Sequence, residues 1–205
     1  MSDKTNGESA PPDSVHVKAI MGSTRQGRIG ETVARWFMSV AGPRNDLSIE
    51  LIDLRDWPLP FFDESKPPSS GHYAVEAEGW ANKIAGGEAF VIITPEYNLG
   101  YPGVLKNALD HLYTEWNGKP VAFVGYGSTS AGSRSVSQLR QVVVGLQMLP
   151  LSTEILIQSP REKFDEHGNI KELSYSDRAN TLLDDLVTYA RAMTPLRSQK
   201  ESAPE

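Results

Sequence analysis

The sequence predicts an α/β protein built on a doubly wound, five-stranded parallel sheet with helices on both faces. Three observations point there. Short β-branched runs alternate with segments of helical period, the run Glu88 to Thr94 (EAFVIIT) is apolar almost without a break, and hairpin signals are few. A strand covered on both faces reads as a continuous apolar run, and strands separated by helices join through right-handed crossovers.

Val15 to Gly22 (VHVKAIMG) reads as the first strand, broken at Gly22-Ser23. Gly30 to Ala41 follows as a helix, because Val33, Trp36, Phe37 and Val40 recur at the spacing of one buried stripe. Ser48 to Leu54 is the second strand and Glu88 to Thr94 the third. Pro102 to Tyr113 opens with a proline suited to a helix start and aligns Val104, Leu105, Ala108, Leu109 and Leu112 on one face. Lys119 to Gly125 (KPVAFVG) is the fourth strand, Ser133 to Leu149 a helix, and Leu151 to Ile157 the fifth strand. Tyr175 to Met193 closes the series with Leu182, Leu183, Leu186, Tyr189, Ala190 and Met193 at helical spacing.

The folded unit is expected over residues 15–195. Met1 to Ser14 and Leu196 to Glu205 are rich in Ser, Pro, Gly and charge, with little to bury against the entropy of ordering, so both read as disordered tails. Among 205 residues, 20 Lys+Arg face 26 Asp+Glu, a net charge of −6 that supplies no basic face for nucleic acid. Zero Cys excludes thiol catalysis, CxxC redox chemistry and thiolate metal sites, so redox chemistry would need a bound cofactor. No stretch approaches the ~20 apolar residues of a membrane span, and the N-terminal residues carry no apolar signal core. A cytoplasmic protein without membrane or nucleic-acid partners is the expectation.

Ligands of such sheets bind beyond the carboxyl ends of the strands, where strand order reverses, so the loops after strands one, three and four carry the chemistry. The first, Gly22-Ser23-Thr24-Arg25-Gln26-Gly27-Arg28-Ile29-Gly30, combines a helix start, hydroxyls and two guanidinium groups, which suits a phosphate. Arg28 and Ile29 stand where a nucleotide-triphosphate loop needs Lys and Ser/Thr, which argues against an NTPase, and the spacing is not GxGxxG. The plainer alternative is a Gly-rich turn with solvated arginines. The second loop, Thr94 to Gly103, offers tyrosines, Asn98 and backbone groups to a planar ring; a proline-flanked connector with core-packed tyrosines is the alternative. In the third, Gly125 to Arg134, glycines permit close approach to a flat ligand, although a hydroxyl there also suits a helix cap.

The segments GSTRQGRIG, TPEYNLGYPGVLKNALDHL and GYGSTSAGSRS, in this order, resemble those of the NADPH-dependent FMN reductases, a family of flavodoxin-like fold that includes quinone, azo-dye and chromate reductases. The resemblance spans about Val15 to Tyr189. It implies that Ser23, Arg25, Arg28 and Ile29 contact the FMN phosphate, that Pro95, Glu96, Tyr97 and Asn98 surround the isoalloxazine ring, and that Gly127 and Ser128 close its other side. It also implies FMN as cofactor, NADPH, or NADH in its place, as hydride donor, and a small-molecule electron acceptor such as a quinone, flavin or azo compound. A homodimer or homotetramer with FMN sites near subunit contacts follows from the same likeness. The flavin carries the chemistry, so no catalytic triad or essential general base is expected.

A different class of function, an FMN-binding electron carrier or sensor acting on a protein partner, is the competing reading. Arginines in the first loop and the modest charge favour the enzyme. His16, His72, His111 and His167 show no metal-ligand spacing, and no metal is expected. Arg55 to His72 carries Trp57, Leu59, Phe61 and Phe62 in a proline-rich stretch, which reads as a surface for a partner or ligand, or as a loop folded onto its own domain.

Overall fold

The structure, a computed structural model, describes residues 13–201, with side chains to residue 198. Five parallel strands form one sheet: β1 (Val15–Met21), β2 (Leu47–Asp53), β3 (Ala89–Pro95), β4 (Pro120–Gly127) and β5 (Leu149–Gln158), in the order β2-β1-β3-β4-β5. The helices are α1 (Gly30–Ala41), α2 (Val75–Ala85), α3 (Gly103–Asp110), α4 (Ser133–Gly145), the single turn α5 (Pro160–Lys163) and α6 (Leu173–Glu201). Strand order reverses between β1 and β3, so the chain leaves their neighbouring carboxyl ends toward opposite faces and opens a crevice there.

Two apolar layers fix the sheet. Val17, Ala19, Met21, Val91, Ile93, Ala122 and Val124 meet Val33, Trp36 and Phe37 of α1 and Leu182, Leu183 and Leu186 of α6. Alternate residues Ile20, Phe90, Ile92, Val121 and Phe123 point the other way, to Trp80 and Ile84 of α2, Leu105 and Leu109 of α3 and Leu139 and Val143 of α4. Every residue of β3 is buried, which accounts for its unbroken apolar sequence.

The structure departs from several sequence expectations: the helix expected over Ser133 to Leu149 ends at Gly145, and Leu149 opens β5. α2 was not predicted, although Ala77, Trp80, Ala81 and Ile84 are buried at helical spacing; Gly79 and several small residues dilute the stripe. The predicted C-terminal tail begins inside a helix, because α6 continues through Pro195 to Glu201. Arg197 anchors that last stretch, donating to the carbonyl of Gly118 at 3.3 Å and to Thr194 Oγ1 at 3.0 Å. Residues 202–205 of that tail, and residues 1–12 of the N-terminal one, lie outside the described residues.

In the proline-rich stretch Trp57, Leu59 and Phe62 pack onto their own domain, one of the two readings of that segment, while most of Arg55 to His72 is exposed. Trp57 packs on Trp80 with ring centroids 5.3 Å apart, and Phe62 meets His111 edge-on at 5.5 Å. Asn107 and His111 donate to the carbonyl of Pro60 at 2.8 and 2.9 Å. Phe61 is left projecting, 86% exposed.

Candidate functional site

The loops after β1, β3 and β4 meet at the carboxyl edge of the sheet, and that of β1 enters α1. Gly22 donates its N–H to the carbonyl of Ile93 at 2.9 Å and lies so close to α3 that a Cβ would stand 2.8 Å from Leu105 Cδ2. Gly27 turns the chain at φ +65°. Ile29 occupies the N-cap of α1 without a side-chain cap, and Thr32 and Val33 donate back to its carbonyl. The earlier N–H groups of a first turn have no helical partner, so they and the helix dipole present positive potential to this loop.

The two arginines of the loop behave differently. Arg25 is exposed, and its guanidinium makes no hydrogen bond or ion pair with the described residues. Arg28 is buried, its side chain 1% exposed, and is directed to Asp53 at the end of β2. Burial disfavours ionisation of Asp53, but hydrogen bonds from Arg28 and from the Arg55 N–H outweigh it and hold the carboxyl below the ordinary range.

The β3 loop is a tight turn in which Tyr97 and Gly100 exchange N–H···O bonds of 2.8 and 3.0 Å. Asn98 and Leu99 both take left-handed conformations, at φ +50° and +70°, a strain of about 1 kcal/mol or more for a leucine. Pro95 closes β3 and is buried; its carbonyl accepts from Ser135 Oγ at 2.9 Å. Tyr97 Oη lies 2.7 Å from Ser23 Oγ, so the second loop is latched to the first.

Glu96 joins the second loop to the third. Its carboxylate accepts from Ser130 Oγ at 2.7 Å, from Arg134 Nη1 at 2.9 Å and from the Arg134 N–H at 3.2 Å. Burial raises its pKa, and these donors lower it further, so it sits below the ordinary range. Gly127 approaches Gly132 and Glu96 closely, Ser128 is exposed at the rim, and Gly132 has φ +91° with only 2.4 Å between an added Cβ and the Tyr126 nitrogen. An alanine there is strained and obstructed at once.

Tyr126, on β4, reaches beneath the start of α1. Its hydroxyl is buried without a hydrogen-bond partner among the described residues, and a Cβ on Gly30 would stand 2.4 Å from it. Burial, with Tyr97 nearby, drives its pKa well upward, so the group stays a neutral donor. An orphaned hydroxyl, an uncapped helix start and an unengaged guanidinium together form a donor set for an anion or a hydroxylated chain. The residues present therefore fit FMN.

Of the residues singled out in the sequence, Ser23, Arg25, Ile29, Glu96, Tyr97, Asn98, Gly127 and Ser128 line the three converging loops, Pro95 stands behind them as the buried strand end, and Arg28 turns to Asp53. Sequence reasoning missed Glu31, Asp53 and Arg55 as parts of this edge; Tyr126, Ser130 and Arg134 lay within the third loop but were given no role of their own. Placing β2 beside β1 would have drawn in Asp53 and Arg55. Tyr126 was read in the third loop, whereas β4 runs on to Gly127, and nothing in the sequence signalled where its hydroxyl would point. A groove of about 650 Å³ lined by Glu88, Glu115, Lys119 and Arg197 lies at the amino ends of the strands, away from this convergence.

The family model for NADPH-dependent FMN reductase matches residues 15–160, which contain all three loops. An NAD(P)H-dependent FMN reductase of Schizosaccharomyces pombe is 42% identical over 150 residues, covering 72% of this chain and 74% of its own. A 2-hydroxy-1,4-benzoquinone reductase of a Burkholderia species is 28% identical over 182 residues, covering 85% and 96%. Among solved structures, the flavoenzyme NAD(P)H:(acceptor) oxidoreductase FerB of Paracoccus denitrificans superposes with a TM-score of 0.71 at 21% identity, covering 87% of this chain and 98% of its own. With the five-stranded order, the three loops and a family match across all of them, the chain belongs to the NADPH-dependent FMN reductase family.

Proposed function

We infer that the protein is an FMN-dependent oxidoreductase that draws hydride from NADPH or NADH and delivers the electrons to a small-molecule acceptor. The observation that carries this is the match across residues 15–160 together with the fit of their edge to FMN. Quinones, flavins and azo compounds are the acceptor classes proposed, since relatives include a benzoquinone reductase and azoreductases.

Bound FMN would supply the redox chemistry, as a two-electron store between nicotinamide and acceptor. The chain's part is to bind and orient. Arg25, Ser23 and the first N–H groups of α1 at Ile29 hold the phosphate; the Tyr126 hydroxyl donates from below. Tyr97, Asn98 and the backbone at Pro95 and Glu96 bound one side of the ring, with Gly127 and Ser128 on the other. The Glu96 carboxylate is committed to Ser130 and Arg134, so its role is to fix the spacing of two loops rather than to move a proton.

A homodimer or homotetramer is proposed as the working form, supported by Phe61 projecting from the loop that follows β2. No helix among the described residues is long and apolar enough to cross a membrane. A cytoplasmic site of action, close to the reduced nicotinamide pool, completes the proposal.

The test is spectroscopic. The purified protein incubated with FMN and desalted should show flavin absorbance bands, NADPH under argon should bleach them, and a quinone should restore them. A protein that stays colourless after excess FMN overturns the reading. Comparing kcat/KM across a panel of acceptors then ranks the substrates.

A further inference from the structure

Four charged residues surround the backbone of the β1 loop from the β2 side. Arg28 makes four hydrogen bonds: from Nε to Glu31 Oε1 at 3.2 Å, from Nη1 to Asp53 Oδ1 at 2.9 Å and to the carbonyl of Ser23, and from Nη2 to Asp53 Oδ2. Arg55 donates to the carbonyls of Thr24 at 3.3 Å and Arg25 at 2.7 Å, and to Glu31 Oε1 at 2.7 Å. Asp53 Oδ1 also accepts the Arg55 N–H at 3.0 Å. Two guanidiniums balanced by two carboxylates thus hold three consecutive carbonyls, those of Ser23, Thr24 and Arg25.

A trans peptide points its N–H opposite to its C=O. Carbonyls of Ser23 and Arg25 held toward β2 therefore turn the N–H groups of Thr24 and Gln26 away from it; the intervening Arg25 N–H bonds Ser23 Oγ at 3.3 Å. The charges of Arg28, Arg55, Asp53 and Glu31 sum to zero, which leaves Arg25 as the loop's uncompensated cation.

We propose that Arg28, with Asp53 and Arg55, is a positioning residue that sets the backbone N–H groups of the β1 loop for phosphate, and is not itself a phosphate ligand. This rests on the reading of that loop as the FMN phosphate site. It reassigns Arg28 from the contact role that the family resemblance implies and extends the site to residues of β2 and its exit.

Dissociation constants for FMN and riboflavin, measured by flavin fluorescence on the full chain, test it. Arg28→Lys keeps the charge and loses the fork, whereas Asp53→Asn keeps the shape and loses the charge. Each should weaken FMN by about tenfold or more, the scale on which support behind a ligating group acts, with riboflavin changed less than about twofold. The double variant should be no worse than the poorer single, because both break one unit. A direct phosphate contact by Arg28 predicts otherwise: Asp53→Asn would leave FMN affinity intact or raise it by releasing the guanidinium, and that result overturns the proposal.

If either buried variant fails to fold, Arg55→Gln replaces it, since its side chain is 36% exposed. It should weaken FMN several-fold and spare riboflavin, and unchanged FMN affinity there overturns the proposal as well. Wild-type protein that binds riboflavin as tightly as FMN would instead show that the phosphate reading itself has failed, which separates the two failures.

Discussion

Ser23 Oγ and Tyr97 Oη are 2.7 Å apart, a hydrogen bond that ties the loop after β1 to the loop after β3 across 74 residues of sequence. Ser23 is fully buried and Tyr97 half-buried. Tyr97→Ala should change flavin fluorescence and turnover while far-UV circular dichroism stays as in the wild type. Tyr97→Phe, which removes the bond alone, should cost about 1 kcal/mol of stability by denaturant titration. Global unfolding of the alanine variant would make Tyr97 a core residue instead.

Arg25→Ala should weaken FMN by roughly 10- to 100-fold, the value of one charge-assisted hydrogen bond of about 1.5–3 kcal/mol. Riboflavin lacks the phosphate and should be bound as before. Titration of both ligands, read as a ratio, checks this; equal losses would remove Arg25 from the phosphate site.

Tyr126→Phe deletes the buried hydroxyl that finds no hydrogen-bond partner among the described residues. Without ligand the variant should be as stable as wild type or more so, by up to about 1–3 kcal/mol, because a desolvated donor is lost with no bond. The rise in Tm on adding FMN should shrink. An undiminished rise would mean that the hydroxyl does not reach the cofactor.

Acid should loosen the site before it unfolds the sheet. The pKa values of Asp53 and Glu96 are lower in the folded protein than in the unfolded chain, so the stability they contribute is full above the ordinary carboxylate range, near pH 4, and is lost as pH falls through their folded values. FMN affinity should therefore be flat with respect to these groups from pH 6 to 8 and decline below about pH 4. In Asp53→Asn the acid-side loss of stability should be smaller. Thermal melts at stepped pH, with and without FMN, measure both.

The sheet was legible because burial on both faces forces apolar runs: all five strands fall within two residues of where the sequence places them, and of the α1 stripe Val33, Trp36 and Phe37 are buried while Val40 is partly so. α2 was legible in principle, since Ala77, Trp80, Ala81 and Ile84 keep the period, but alanines carry too little hydrophobic signal beside Gly79. The loop after β1 was legible as a composition, glycines and arginines at a strand-to-helix corner.

What that composition did not distinguish was one arginine from another. Arg25 and Arg28 are chemically identical in sequence, three residues apart, and their fates differ because β2 lies beside β1 and brings Asp53 under one of them. The Glu96 link to Ser130 and Arg134 and the Ser23–Tyr97 latch arise the same way, from partners distant in the chain, as does the placing of the Tyr126 hydroxyl against Gly30. Local periodicity is written along the sequence and dictates which segments become strands and helices; the pairing of polar groups across loops depends on strand order and register, which exist only once the chain has closed on itself.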